Sequence, residues 1–274
     1  MESKVIALSD AVALIEDGQT LALGGNSFSR IPSSFVREIA RQKKRKLSLV
    51  KTAGGYDIDL LCFAEAVSEV IAGYVGFENV FGLCPSFRRS VESGIVKVRE
   101  HACATVIAGL RASSFGIPSQ PIAGLQGSDV PKMTGFEKTS DPYTGKEIFM
   151  IPSITPDWAI IHVPYADKYG NARIDGGVFE DILMTRASTQ VILTTEQIQE
   201  TSFFQENPAK TKIPSFLVKA VVQIEQGAFP MSCYPFYDLD NEVIKKYFIQ
   251  SKSNNQLEEH LSSLVNIDYG QKNS

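Results

Sequence analysis

The residues best suited to chemistry lie at the ends of short apolar runs. In residues 21–37, LALGGNSFSRIPSSFVR, the run Leu21-Ala22-Leu23 ends in Gly24-Gly25, crosses the polar segment Asn26-Ser27-Phe28-Ser29-Arg30 and enters an amphipathic stretch. A second run, Leu47-Ser48-Leu49-Val50, leads into Thr52-Ala53-Gly54-Gly55-Tyr56-Asp57, and a later apolar step carries Gln126-Gly127-Ser128. Paired glycines permit main-chain approaches and φ values that a side chain forbids. Where such a loop feeds a helix, the free N–H groups of the first turn favour an anionic group. One glycine pair alone is weak evidence, because the same residues serve packing and turns. Several at strand ends, in a fixed order, mark a candidate site.

These loops need elements to hold them. Pro32 suits a first helical turn, and Phe35, Val36, Ile39 and Ala40 recur at helical spacing, so residues 21–37 read as strand, loop, helix. The loop then sits at the carboxyl end of a strand, the edge where open α/β sheets bind ligands. The order recurs: a helix capped by Ser9-Asp10 runs to residue 16, and strands at 47–50, 69–75 and 96–98 alternate with helices at 58–66, 86–93 and 102–115. Residues 131–146, with Asp141-Pro142 and Thr144-Gly145, lack periodicity and are expected to form a surface excursion. Strands at 147–151 and 157–163 follow, the second turning through Asp167 and Gly170-Asn171 to Ala172-Arg173-Ile174. A helix at 178–187, a strand at 190–195 running into Glu196 and a late strand at 217–224 complete the pattern. Such alternation predicts right-handed crossovers and an α/β fold, an open, mostly parallel αβα sandwich. Residues 1–249 read as one domain, and residues 250–274 as a polar tail or last helix.

With 274 residues, 43% of them hydrophobic, the chain can bury a sizeable core. A formal charge of −4 gives no broad electropositive field, which argues against nucleic acid or anionic membrane as the main partner. Lys43-Lys44-Arg45-Lys46 follows a helix and reads as a solvated helix end favoured by the macrodipole. No run approaches the ~18 apolar residues of a membrane span, and the amino-terminal residues lack a secretory apolar region. Cys62, Cys84, Cys103 and Cys233 are far apart in sequence, as suits reduced thiols, so a cytoplasmic location is expected. His101, His162 and His260 are scattered, so no metal site is expected, and His162 in its apolar strand reads as a core histidine. Walker, dinucleotide and Gly-x-Ser-x-Gly signatures are absent from the sequence, leaving nucleotide-driven, dehydrogenase and esterase readings without a motif.

GGNSFSRIP before a helix, the glycine pair at Gly54-Gly55, the Gln126-Gly127-Ser128 loop and the turn Ala166-Asp167-Lys168-Tyr169-Gly170-Asn171 together resemble the family I coenzyme A transferases. The resemblance is to the α subunit of the glutaconate CoA-transferase type, and it spans roughly residues 8–224. It implies the sheet architecture shared by CoA-transferases and ribose-phosphate isomerase-like proteins. It also implies attack of a glutamate carboxylate on an acyl-CoA thioester, through an anhydride, to a glutamyl-CoA thioester that an acceptor acid collects. In two-subunit members that glutamate lies on the β subunit in a Ser-Glu-Asn-Gly-like stretch, which this sequence lacks. The resemblance therefore implies no catalytic nucleophile on this chain and, in a hetero-oligomer, a partner that is the CoA-transferase β subunit. Coenzyme A thioester enters as substrate, with no permanently bound cofactor.

The substrate-binding residues this implies are Gly25, Asn26, Ser27, Arg30, Gly54, Gly55, Gln126, Gly127 and Ser128. Gln126 would donate its amide to the acyl carbonyl or, alternatively, serve only the turn. Arg30 stands where acetoacetate-type α subunits have glycine. It would pair with a second carboxylate on a dicarboxylic acyl group, or form an ion pair with Asp57 or a partner chain. Glu78, just past a strand, is another carboxylate that could face the pocket. Related ring-opening hydrolases carry an acidic residue near the position of Cys103, and Cys103 itself departs from that pattern. Two alternatives stay open: the α subunit of a hydrolase that opens an acyl-CoA or cyclic diketone, and a non-catalytic ligand-binding module of the same fold.

Overall fold

A computed structural model describes residues 2–253 and 255–270. Helix α1 (Leu8–Ala13) is followed by β1 (Thr20–Leu23), α2 (Ser33–Arg41), β2 (Leu47–Gly54), α3 (Tyr56–Phe63), β3 (Val67–Val75), α4 (Glu78–Phe81), α5 (Pro85–Glu92), β4 (Lys97–Glu100) and α6 (Cys103–Ser114). Strands β1 to β4 lie side by side in parallel, as repeated strand–helix order requires. Next come β5 (Ser119–Ile122), α7 (Val130–Thr134), β6 (Glu137–Ser140), β7 (Glu147–Pro152), β8 (Trp158–Ala166) and β9 (Ala172–Arg173). The chain continues through α8 (Asp181–Ala187), β10 (Gln190–Ile198), α9 (Thr201–Gln205), β11 (Thr211–Ile213), β12 (Val218–Gln223), α10 (Asn241–Gln250), α11 (Leu257–Ser263) and α12 (Val265–Tyr269). On the other side of β1 the parallel sheet extends through β8, β10 and β12, while β9 and β11 add antiparallel to the end of β8.

Side-chain alternation divides the core between the two faces of this sheet. Leu21 and Leu23 of β1, with Trp158 and Ile160 of β8, join the cluster under α1, α2 and α3; Ala22, Ala159 and Ile161 face the cluster under α6 and α8. Burying one such leucine stabilises the fold by about 1.5–3 kcal/mol. The same alternation sends Lys51 of β2 toward α3 and Thr52 toward α6 and α8.

Two expectations need correction, and a third, the polar tail or last helix after residue 249, gains detail. Residues 131–146 are not a structureless excursion: they supply α7 and β6, and β6 joins β7 and β5 in a separate antiparallel sheet with its own small core of Ala108, Phe136, Phe149 and Ile151. Every residue of β6 is exposed, so its sequence carries no apolar alternation to betray a strand. The helix expected from residue 178 begins only at Asp181, because Phe179 takes φ +49°. Residues 257–269 are two further helices fastened to the main body: the Arg37 guanidinium grips Asp268 at 2.9 and 3.0 Å, and the Tyr56 hydroxyl meets His260 Nε2 at 2.7 Å. Residues 271–274 of the expected tail lie outside the described residues.

Candidate functional site

The loops after β1, β2 and β3 meet at the carboxyl edge of the sheet. Ser27 N–H donates to Ala53 O at 3.2 Å, and Gly76 N–H donates to Gly54 O at 3.0 Å. A Cβ on Gly55 would lie 3.1 Å from Gly76 O and 3.7 Å from Ser27 O, so glycine there lets three backbones close together. Phe28 stacks on Phe77 with ring centroids 6.5 Å apart. The structure thus brings Gly25, Asn26, Ser27, Arg30, Gly54 and Gly55 into one place.

Loop 24–30 is a tight reversal. Asn26 and Ser29 exchange backbone hydrogen bonds at 2.9 and 2.8 Å. Gly25 takes φ +70°, and a Cβ there would meet Ser29 O at 2.4 Å. Ser27 and Arg30 also have positive φ, at 41° and 52°, as do Glu78 after β3, at 50°, and Phe179 before α8. Left-handed backbone at non-glycine residues is unfavourable and gathers where surrounding structure enforces it, often at functional sites.

Two buried ion pairs enforce it here. Arg30, 1% exposed, directs Nη2 to Asp181 Oδ2 at 2.6 Å and to Gly177 O at 2.5 Å, and Nη1 to His162 O at 3.0 Å. Asp181 Oδ1 accepts the Gly25 N–H at 2.8 Å. Lys51 Nζ donates to Gly24 O at 2.7 Å and pairs with Asp57 at 2.6 Å, and Asp57 also accepts the Gly55 N–H. Arg30 is therefore paired within the chain, to Asp181 rather than to Asp57, and its guanidinium is turned inward. Asp181 is not legible as its partner in the sequence because 151 residues separate the two. The available signal was an aspartate opening a helix beside a glycine pair.

On the α6 side of the same edge, Thr52 Oγ1 donates to Glu180 at 2.7 Å, and the exposed Cys103 directs its thiol to Thr52 O at 3.4 Å. Gly73 makes room for Cys103, whose backbone N would stand 2.4 Å from a Cβ at that position. Glu180, too, has no motif around it that marks it in the sequence. Glu78 lies next to this edge, its N–H donating to the Tyr74 hydroxyl at 3.1 Å.

Gln126, Gly127 and Ser128 are placed differently. They line a cavity of about 420 Å³ together with Phe136, Phe149, Lys132 and Lys138 of the second layer. The Gln126 amide donates to Glu147 O at 2.8 Å and its oxygen accepts the Gly124 N–H at 2.9 Å, so the loop is satisfied by its own side chain. That cavity shares no lining residue with loops 24–30 and 54–57. The two layers touch at His101, which lies edge-on to Phe136 and is held neutral, its pKa lowered to about 4 by burial and by Arg99.

Beneath loop 24–30 lies a buried polar brace. His162, fully buried as its apolar strand suggests, contacts Glu196 through Nε2 at 2.7 Å and Thr194 through Nδ1 at 2.9 Å. Glu196 also accepts from the Tyr237 hydroxyl and the Gln226 and Gly227 amides. Burial opposes its charge, but the His162, Tyr237 and Gln226 hydrogen bonds outweigh burial and hold Glu196 below the ordinary carboxylate range. Potential ligand atoms of His162, Glu196 and Cys233 all lie within 4.8 Å of one another. Glu196 receives four hydrogen-bond contacts and with His162 forms the brace, while the Cys233 thiol beside them is pushed up to about 12 by burial and Glu196. Ser232, next to Cys233, ties it to the loop by accepting Arg30 N–H and donating to Phe28 O. Among the described residues no helix is long and apolar enough to cross a membrane.

Residues 5–224 match the coenzyme A transferase family. The chain is 31% identical over 269 residues to one of the subunits of glutaconate CoA-transferase from Acidaminococcus fermentans, covering 92% of this chain and 84% of that one. The crystal structure of the glutaconate coenzyme A-transferase from that organism superposes with a TM-score of 0.88 at 29% identity, over 97% of this chain and 94% of the other. The cholesterol ring-cleaving hydrolase IpdA subunit of Mycobacterium tuberculosis is 30% identical over 90% of this chain and 88% of its own. An uncharacterised protein of Archaeoglobus fulgidus is 37% identical over 97% of this chain, which spans only 60% of that relative's length. By its matching span, its relatives and its fold, the chain belongs to the coenzyme A transferase family.

Proposed function

We propose that the chain is the α-type subunit of a heteromeric CoA-transferase, moving CoA between an acyl-CoA and a carboxylic acid. The observation that carries this reading is the convergence of loops 24–30, 54–57 and 76–78 at one strand edge, each fixed there by main-chain or side-chain hydrogen bonds. An attacked thioester places negative charge on its carbonyl oxygen, which calls for donors fixed beforehand and a nucleophilic carboxylate. In this reading the backbone of Gly25, Asn26, Ser27, Gly54 and Gly55 lies close to the substrate, while the Gln126 amide, engaged with Glu147 O in the separate cavity that Gly127 and Ser128 also line, must let go of that carbonyl to reach the acyl group.

The nucleophile belongs to a partner β subunit in this reading. Its glutamate oxygen attacks the acyl carbon and expels CoA thiolate, leaving an acyl–glutamyl anhydride. The thiolate then attacks the glutamyl carbonyl, releasing the first carboxylic acid and forming the glutamyl-CoA thioester. An acceptor carboxylate reverses both steps with its own acyl group, so no proton, oxidant or resident cofactor is consumed. The test is to incubate the assembly purified from its own cells with one acyl-CoA and a panel of carboxylic acids, and to identify new acyl-CoA species by mass. New acyl-CoA appearing only with an acceptor supports transfer.

A second reading is thioester or ring-opening hydrolysis, with water replacing the acceptor acid. It is favoured by the carboxylate of Glu180, set on Thr52 beside Cys103 at the same edge, and by Glu78 nearby. Free product formed without any acceptor would select it.

A further inference from the structure

A groove on the flank of the strand edge carries chemistry that the loops do not use. It is a cavity of about 440 Å³ between the α4–α5 connection and the end of α10, where Phe81, Leu83 and Phe248 stand with Arg88, Arg89 and Lys252. Among the described residues no carboxylate lines it. In a chain of formal charge −4, three cations on one cavity are a local excess. Cations on a solvated helix face ordinarily pair with acids, as Arg88 does with Glu92 at 2.7 Å. The other two differ. Arg89 is held by neutral partners, with Nη1 donating to Ser251 O at 3.0 Å and Nη2 to the Ser86 hydroxyl at 3.1 Å. Lys252 lies over the Phe248 ring, its Nζ 4.5 Å from the centroid. Among the described residues neither has a carboxylate within ion-pair distance.

The apolar wall is aromatic and open. The Phe81 and Phe248 rings lie 5.8 Å apart, inclined by 31°, and Leu83 beside them is 60% exposed. Cations alone would suit any phosphate, whereas rings beside them add a surface on which a flat base stacks. The groove is also joined to the site. Phe81 meets Phe77 edge-on at 6.4 Å between ring centroids, and Phe77 stacks on Phe28 of loop 24–30 at 6.5 Å. Two aromatic steps therefore separate the groove from the converging loops.

We propose that this groove binds a phosphorylated nucleotide, its base against Phe81, Leu83 and Phe248 and its phosphates on Arg88, Arg89 and Lys252. A guanidinium presents paired N–H groups to phosphate oxygens, and Arg89 is already fixed by its carbonyl and hydroxyl partners, which lowers the cost of ordering it on binding. The same chemistry has two sources. One is the nucleotide end of a CoA thioester whose acyl end reaches the strand edge, and this source rests on the CoA reading above. The other is a free nucleotide, which is independent of that reading.

The test is calorimetric binding of ADP, adenosine and inorganic phosphate to the assembly purified from its own cells, followed by acyl-CoA kinetics. ADP should bind at least about tenfold more tightly than adenosine or inorganic phosphate, because it meets both walls. Arg88→Glu and Lys252→Glu alter exposed side chains whose loss costs the fold little, and each should weaken ADP by about tenfold. If the occupant is the end of CoA, ADP competes with acyl-CoA, and both variants raise KM for acyl-CoA by about tenfold with kcat within about twofold. If it is a free nucleotide, ADP and acyl-CoA bind together and that KM stays unchanged. ADP binding and acyl-CoA KM both unmoved by the two variants would overturn the groove and leave the CoA reading intact. Inorganic phosphate binding as tightly as ADP would also overturn it. ADP binding that falls in both variants, in an assembly without acyl-CoA turnover, would support the groove and sink the CoA reading.

Discussion

Loop 24–30 is held from outside itself, by carboxylates and carbonyls on β8, α8 and the segment around Ser232, whereas loop 124–128 is held by the side chain of its own Gln126. The first sits over two ion pairs with no more than 1% of any side chain exposed; the second sits above exposed pairs such as Lys138 with Glu147. Buried pairs are expensive to break because the survivor is left charged in a dry site, while exposed pairs contribute little. The difference separates a preset wall from an adaptable one. On the proposed function, geometry needed at the reacting atoms would belong to the main-sheet edge, and adjustment to different acyl groups to the second layer.

The largest effect should come from cutting a brace on the preset side. Lys51→Met leaves Asp57 buried and unpaired and should destabilise the chain by about 3–5 kcal/mol in urea unfolding. A loss below about 1 kcal/mol would erase the contrast between the two regions. Gly25→Ala should follow, at about 2–4 kcal/mol, since the added methyl meets Ser29 O and the backbone must leave φ +70°.

Acid should loosen the fold, at the seam through His101 and in the main body through His260. Burial holds His101 near pKa 4 and His260 near 3, both below the ordinary 6.5. Depressed folded-state values mean that stability present above about pH 6.5 is lost as pH falls toward these values. Asp59 works the other way: burial raises it from the ordinary 3.8 to about 6, so its contribution is full below pH 3.8 and is lost as pH rises through 6. Two histidines against one aspartate predict a net loss of about 3 kcal/mol between about pH 6.5 and 4.5. Thermal unfolding of His101→Gln and of His260→Asn should each show a shallower pH slope than wild type; an unchanged slope in both would contradict the assignment.

The smallest effect on stability belongs to the adaptable side. Gln126→Ala, in an exposed loop, should change stability by less than about 0.5 kcal/mol. Its turnover should nevertheless fall if Gln126 reaches the acyl carbonyl, and unimpaired turnover would remove it from the site.

Much of the preset region is legible in sequence because it is written locally. Apolar runs ending in glycine pairs, with helical spacing after Pro32, specify strand, loop and helix within a few residues of each other, and their repetition specifies the parallel sheet. What holds the loops is not legible. Asp181 and Glu180 act across more than a hundred residues, and an aspartate at a helix start looks like any N-terminal acidic residue. The second sheet stays hidden because β6 presents no buried face. The helices after residue 256 look polar because His260 and Asp268 are buried by partners, Tyr56 and Arg37, that lie far earlier in the chain. Arg30 shows the limit most clearly: its type and place allow a substrate receptor or an ion pair, and only the fold shows its guanidinium turned inward.

If this chain is the wall of a site whose nucleophile lies elsewhere, trapping the covalent intermediate tests that division most directly. The assembly would be purified from its own cells, incubated with acyl-CoA, treated with borohydride to reduce any glutamyl thioester, and weighed chain by chain by intact mass spectrometry. The expected result is a co-purifying chain that carries the modification while this one does not. A modification on this chain, mapped to Glu78, Glu180 or another of its carboxylates, would contradict it.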